Sequence, residues 1–433
     1  MPTCQALKQS DANPCGNSAL QKYGNMYCGI HRAKYKPVVQ STSPDGETTA
    51  EGCGGQTTEH PTSVAEAHSR QEVPPDDVEQ QELTEDFDRN SFSSLGYIGS
   101  KLSLLGWVLE SFNLSRVSSF AEPMCGTGVV SDAVLKSGCI KVYSNDICNY
   151  ASTIVSSRIL PFDQELYDAY LRRFMNGEAS DAGFVYKNLA EGGSERLYFS
   201  AENAKKIDGC RKLVEESEEF LGTGGEVGSL NRRLNTRAAL IATILLAADR
   251  VANTASVYAA FLKNIKKSAQ KEIEFKRLVS TGSTSGRVSN LDAIEFIDGL
   301  PGVIDLIYLD PPYTNRGYCS NYHVLETISL YDEPALRGIT GLRDDCLTKN
   351  GELSKKSSAF QYFRKLMEAV SRKCKVVVIS YSSDGIIDTA EMVDLLSSMG
   401  KLESREKEYK KFTVRSGDTG KVVEYLFKCS FLE

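Results

Sequence analysis

Residues 304–318 read IDLIYLDPPYTNRGY, and the way this run stops decides the fold class. Val303 to Leu309 is nearly continuous in apolar character and rich in β-branched and aromatic residues, as a strand buried on both faces of a parallel sheet should be. Two successive prolines donate no ladder hydrogen bonds and push the residue before them out of helical space, so pairing should end at Asp310. A carboxylate is thereby placed at the carboxyl end of a strand, the edge where open α/β sheets bind ligands. Taken alone, Asp-Pro-Pro also fits a plain loop. Its surroundings favour the first reading.

Upstream, SRVSSFAEPMCGTGVVSDAVLKSG at 115–138 runs strand, glycine turn, helix. Val117 to Ala121 is apolar, Gly126 and Gly128 permit a tight turn, and Val129 to Leu135 has helical spacing, which together make the first βα unit of a Rossmann-like sheet. A second short strand, Ile140 to Ser144, ends in Asn145 and Asp146, about twenty residues past the turn, where an acid can accept from both hydroxyls of a ribose. A P-loop is disfavoured. Glu122 precedes the turn and would repel a pyrophosphate, and no Lys-Ser/Thr pair follows at the required spacing. A nucleoside with a cationic or amino-bearing tail suits these residues better.

From about 150 to 285 the pattern is mainly helical, including AALIATILLAADRVANT and the basic stretch KNIKKSAQKEIEFKR at 263–277, which is either a solvated helix face or a contact surface. The sheet resumes near Val288 with Asn290, Leu291 and Asp292. Then come the 303–310 strand, a helix in 357–371, the strand CKVVVISYS at 374–382, a helix near 389–399, and two hairpin-like segments at 403–414 and 421–430.

The net charge of −7 is unevenly distributed. Residues 44–90 carry 13 Asp or Glu against 2 Arg, residues 1–43 carry 5 basic against 1 acidic, and residues 91–433 balance at 43 of each. The acidic segment is poor in large apolar residues and rich in Ser, Thr, Gly, Glu and Pro, the composition of a disordered linker. The domains predicted are a basic module at 1–40, an acidic linker at 41–90, and a catalytic-sized body at 91–433. No stretch is apolar for long enough to span a bilayer and the N-terminus lacks a signal-peptide core, so a soluble intracellular protein without a membrane partner is expected. Cysteines beyond residue 31 show no paired framework and most lie in or beside apolar segments, as reduced core thiols do.

In the basic module, Cys4, Cys15, Cys28 and His31 supply three thiolates and an imidazole, a complete tetrahedral zinc shell. The stretch is too small to fold on an apolar core, so bound zinc would supply its folding free energy. The alternative is a basic tail with incidental cysteines.

The ordered set SSLGYIGSKLSLL (93–105), FAEPMCGTGVVSDA (120–133), YSNDICNYA (143–151), YFSAENAKKIDGCRKLV (198–214), ADRVANTASVYAAFLK (248–263), IYLDPPYTNRGYCSNYHVLETISLYD (307–332) and VVVISYSSDGII (376–387) resembles the Dam-like adenine-N(6) DNA methyltransferases. It resembles those in which the cofactor motif comes first, a target-recognition segment follows and DPPY comes last. One departure is Met124, where the family commonly has Phe; methionine can cover the same apolar surface. The resemblance implies a Rossmann-like S-adenosylmethionine-dependent methyltransferase sheet, with 150–290 as a helical target-recognition insertion. It implies that Tyr97 and Lys101 lie against the methionine end of the cofactor, with Glu122, Pro123, Gly126 and Gly128 around its amino and sulfonium region. Asp146 would hold the ribose and Asp292 the adenine amino group. Asp310, Pro311, Pro312 and Tyr313 would be catalytic.

The chemistry is consistent with those four residues. The exocyclic amine of adenine is a poor nucleophile because its lone pair is delocalised into the ring. By family analogy, the Asp310 carboxylate and the Pro311 carbonyl accept its hydrogens and favour the pyramidal nitrogen, while Tyr313 stacks on a base that must be flipped out of the duplex to react. Double-stranded DNA is the implied partner, with a cognate restriction endonuclease as a companion. Transfer to cytosine N(4), an RNA adenine substrate, or a silent zinc-containing DNA-binding protein are the alternatives.

Overall fold

The computed structural model describes residues 95–221, 227–280, 286–410 and 421–431. The candidate zinc ligands Cys4, Cys15, Cys28 and His31 and the acidic linker lie outside the described residues.

A seven-stranded sheet runs in the order β3-β2-β1-β4-β7-β9-β8. Its strands are β1 (Ser119–Glu122), β2 (Lys141–Asn145), β3 (Arg287–Ser289), β4 (Ile304–Leu309), β7 (Cys374–Ser382), β8 (Gly400–Lys410) and β9 (Lys421–Phe431). β5 (Leu336–Arg337) and β6 (Leu342–Arg343) form a separate antiparallel hairpin. The first five strands of the sheet pair in parallel, and β9 and β8 close one edge antiparallel. This is an α/β fold with a Rossmann-like sheet, as the sequence predicts.

β4 is buried on both faces, which accounts for its unbroken apolar run. Leu306 and Tyr308 pack with Phe120, Val142 and Val378, whereas Ile307 and Leu309 pack against Phe363, Leu366 and Val377 on the other side. Asp305 fixes the start of the strand by accepting the backbone N–H and hydroxyl of both Ser118 and Ser119. β4 ends at Leu309, so the prolines terminate pairing where their chemistry requires. Strand order reverses around β1 and β4, which puts Glu122 and Asp310 side by side at the topological switch point.

Between β2 and β3 stands a largely helical insertion with its own apolar core. Helices Asn149–Ile159, Ala201–Glu215 and Val227–Arg250 contribute Ile154, Ile207, Leu240, Ile244 and Leu245 to it. The basic stretch 263–277 is not helical, contrary to the periodicity expectation. Two buried asparagines take over its backbone. Asn253 donates to Leu262 O and accepts Lys266 N–H, and Asn203 donates to Ala269 O and Lys271 O and accepts Ile273 N–H. With these groups satisfied from outside, no helical ladder is needed. The expectation for the cysteines is corrected at one pair: Cys319 and Cys346 are joined by a disulfide, with Cα atoms 5.1 Å apart. Cys125, Cys139, Cys148, Cys210, Cys374 and Cys429 are free and buried. Among the described residues, no helix is long and apolar enough to cross a membrane.

Candidate active site

The turn after β1 needs its glycines. Gly126 has φ +50° and a Cβ there would meet the Tyr97 ring at 2.9 Å; Gly128 has φ +75° and a Cβ would meet Val155 at 2.6 Å. Gly128 then precedes the helix Val129–Lys136. Asp146, at the end of β2, fixes this turn: Oδ2 accepts Gly126 N–H at 2.9 Å and Oδ1 accepts Cys148 N–H at 2.9 Å. Burial pushes its carboxyl up to about 6 in spite of those bonds.

A cleft of about 960 Å³ opens over the turn. Its walls bring together nine of the twelve catalytic and cofactor residues picked from the sequence: Tyr97, Lys101, Glu122, Pro123, Gly126, Asp146, Asp292, Asp310 and Pro312; Gly128, Pro311 and Tyr313 do not line it. Glu122 is buried, and its Oε2 accepts both the backbone N–H and the hydroxyl of Ser131. Burial outweighs these bonds and pushes its carboxyl up to about 8. Asp292 caps the helix Ala293–Asp298 through Oδ1 and accepts the Tyr362 hydroxyl on Oδ2 at 2.7 Å. Tyr97 stacks on Tyr318 and Tyr322, with centroids 5.2 and 5.0 Å away.

A second, open groove shares the wall formed by Tyr97, Gly99, Ser100 and Lys101 and is lined on its far side by Tyr313, Ser256, Gly385 and Glu424. Lys101 stands between cleft and groove. Its ammonium lies 2.7 Å from Asp310 Oδ1 and 3.2 Å from Glu424 Oε1. Burial opposes the charge, but the two carboxylates prevail and hold the ammonium well above its ordinary range. Ser380 also donates to Asp310 Oδ1, at 3.2 Å. Both donors fall on Oδ1, and among the described residues none donates to Oδ2. Burial pushes the Asp310 carboxyl up, against the pull of Lys101.

An acidic cleft beside a glycine turn thus meets an open groove at Lys101, the ion-pair partner of Asp310. The family model for D12 class N6 adenine-specific DNA methyltransferases matches residues 97–409. The chain belongs to this family. It is similar to the type II methyltransferase M.NlaIII of Neisseria lactamica, with 34% identity over 73% of this chain and 92% of the relative. The type II methyltransferase M.CviAII of Paramecium bursaria Chlorella virus 1 is 33% identical over 77% of this chain and 97% of its own. The modification methylase LlaI of Lactococcus lactis subsp. lactis is 30% identical over 74% of this chain and 52% of its own. As a D12 enzyme, the protein is an adenine-N6 DNA methyltransferase.

In this D12 methyltransferase, the ammonium of Lys101 is held by Asp310 and Glu424, a pairing the sequence did not reveal. Tyr362, Ser380 and Glu424 also escaped sequence reading. Glu424 left one signal: a lone acid inside the apolar strand VVEYLF, paired in register with Ser382 and 1% exposed. A carboxylate so placed needs a buried cation.

Proposed function

We propose that the protein transfers a methyl group from S-adenosylmethionine to N6 of an adenine extruded from double-stranded DNA, in one in-line displacement. The observation that carries this reading is Asp310: Oδ1 is held by Lys101 and Ser380, while among the described residues none donates to Oδ2, in the wall of the cleft beside the Lys101 that lines both cleft and groove. The residues of the cleft fit the cofactor. Four carboxylates (Glu122, Asp146, Asp292 and Asp310) suit a ligand carrying a sulfonium and an ammonium, and the Gly126–Gly128 turn lets a nucleoside approach the backbone. Asp146 retains lone pairs for ribose hydroxyls, and Asp292, steadied by Tyr362, is placed to accept from an adenine amino group. When bound, the cofactor supplies an electrophilic methyl on sulfur.

The remaining steps belong to the chain. Tyr313 offers a ring to stack on the extruded base. Asp310 Oδ2 and the Pro311 carbonyl accept the two amino hydrogens and localise the nitrogen lone pair as the N–C bond forms and the C–S bond breaks. Asp310, its carboxyl already pushed up by burial, can take the proton the nitrogen loses. Proline at 311 gives a carbonyl on a rigid backbone with no competing N–H. The reading is tested by incubating unmethylated duplex DNA with labelled cofactor and separating the nucleosides. Label in N6-methyldeoxyadenosine supports it; label only in N4-methyldeoxycytidine, or none in DNA, refutes it.

Glu122 gives a further expected outcome. At pH 7 a carboxyl pushed up to about 8 is mostly protonated, and a cation bound beside it favours ionisation, so cofactor binding should release a proton. Calorimetry at pH 7 in buffers of different ionisation enthalpy should show that release for the wild type and none for Glu122→Gln. Equal proton counts in both would remove Glu122 from the cofactor site.

The insertion is proposed to carry target recognition, and a restriction endonuclease is the proposed companion, in line with relatives named as type II methyltransferases and modification methylases. Within the basic stretch, Lys266 is tied to Thr254 O at 2.6 Å, while Lys263 and Lys267 are exposed and better placed to meet phosphates. The zinc module is likewise a proposal from Cys4, Cys15, Cys28 and His31; among the described residues no group of His, Cys, Asp and Glu could hold a metal. Protein purified without chelator should contain about one zinc per chain, lost in Cys28→Ser. Metal-free wild-type protein would end that proposal.

A further inference from the structure

Two tyrosines stand on opposite sides of the wall between cleft and groove, and their hydroxyls meet over a glycine. Tyr318 lines the cleft, Tyr313 lines the groove, and Gly99 lines both. A Cβ at Gly99 would lie 2.7 Å from the Tyr318 hydroxyl and 3.2 Å from the Tyr313 hydroxyl, so any side chain there would crowd both phenols. Glycine, at φ +79°, leaves that space open. Burial raises the Tyr313 phenol, and the groups that pull it back are Lys101 and a hydrogen bond to the Tyr318 side chain. The two phenols are therefore partners.

Tyr318 is also tied to the glycine turn of the cleft. Its ring stacks on Tyr97 with planes 25° apart, and Tyr97 in turn presses on the turn, where a Cβ at Gly126 would meet its ring at 2.9 Å. The backbone beneath Tyr318 is fixed. Asn350, another residue of the cleft wall, accepts Ser320 N–H at 3.3 Å and donates to Ser320 Oγ at 2.7 Å, and Cys319 is joined to Cys346. A chain of contacts thus runs from the turn through Tyr97 and Tyr318 to Tyr313 in the groove.

We propose that Tyr318 is a positioning residue that couples the cofactor cleft to the base site: with the cleft filled, its ring is fixed, and its hydroxyl holds the Tyr313 ring at the angle that stacks on the extruded adenine. This rests on the methyltransferase reading above and deepens it. Tyr318 lines the cleft with its ring and reaches the groove side through one polar atom. Phenylalanine in its place keeps the stack on Tyr97 and the wall of the cleft but loses the link. Because coupling between two binding sites is reciprocal, an occupied cleft should tighten duplex binding by the same factor as duplex tightens binding in the cleft.

The test uses the full chain, a duplex with 2-aminopurine at the target position of its mapped site, and S-adenosylhomocysteine as an unreactive probe that fills the cleft. In the wild type the probe should tighten duplex binding by about tenfold and raise the fluorescence of the extruded base. In Tyr318→Phe the probe's own affinity should stay within about threefold of wild type, while its effect on duplex binding falls to about twofold or less. Single-turnover transfer to adenine should drop by about tenfold in Tyr318→Phe and in Tyr313→Phe, and the double variant should lose no more than either alone, since all three remove one bond. Intact coupling in Tyr318→Phe, additive losses in the double variant, or a collapse of the probe's affinity without DNA overturns the proposal. A wild-type protein that methylates no adenine overturns the methyltransferase reading itself, and the coupling role with it.

Discussion

Asp310→Ala will lower methyl transfer to DNA by about 10²- to 10³-fold, the scale on which a preorganised hydrogen-bonding group acts at a reacting centre. Cofactor affinity should stay within about threefold of wild type, because Oδ2 of Asp310 is assigned to the base. The fold should survive the change. Lys101 keeps Glu424 as its ion-pair partner at 3.2 Å, so no buried charge is left unpaired. The check combines single-turnover transfer with cofactor titration on the same protein. Transfer within a few-fold of wild type would remove Asp310 from catalysis, and a collapse of cofactor binding alone would move it to the cofactor site.

Lys101→Met should be the more damaging change to the fold. It leaves Asp310 and the buried Glu424, held close through one ammonium, without their shared cation. Breaking a buried pair by deleting one partner costs about 3–5 kcal/mol. Glu424→Gln in the same chain should recover much of that loss, since the remaining Asp310 carboxylate is partly exposed and still accepts from Ser380. Activity should not return with stability, because Asp310 would no longer be oriented by Lys101. Denaturant unfolding of the single and double variants, with transfer rates alongside, separates the two effects. A Lys101→Met protein as stable as wild type would show that the buried triad is not coupled as described.

The strands and helices nearest the site were legible because their signals are local. Pro311 and Pro312 end β4 at Leu309, and CKVVVISYS forms β7 over Cys374–Ser382 as read. The glycine turn and Asp146 were legible for the same reason, since one bond joins residues only 20 apart. The Lys101–Asp310 ion pair was not legible because its partners lie 209 residues apart, and no periodicity connects them. Residues 263–277 carry a helix-like composition, yet Asn203 and Asn253 satisfy their backbone from other elements. The Cys319–Cys346 pairing depends on the packing of two short helices, Tyr318–Asn321 and Asp344–Lys349, which cysteine spacing does not encode.

The central claim is that the carboxylate ending β4 directs a methyl group to the amino nitrogen of adenine. Single-molecule sequencing of unmethylated genomic DNA, incubated with cofactor and either wild-type protein or Asp310→Ala, tests it most directly. The account predicts N6-methyladenine in one sequence context with the wild type and none with the variant. Modification at cytosine N4, or the same adenine pattern from both proteins, would contradict it.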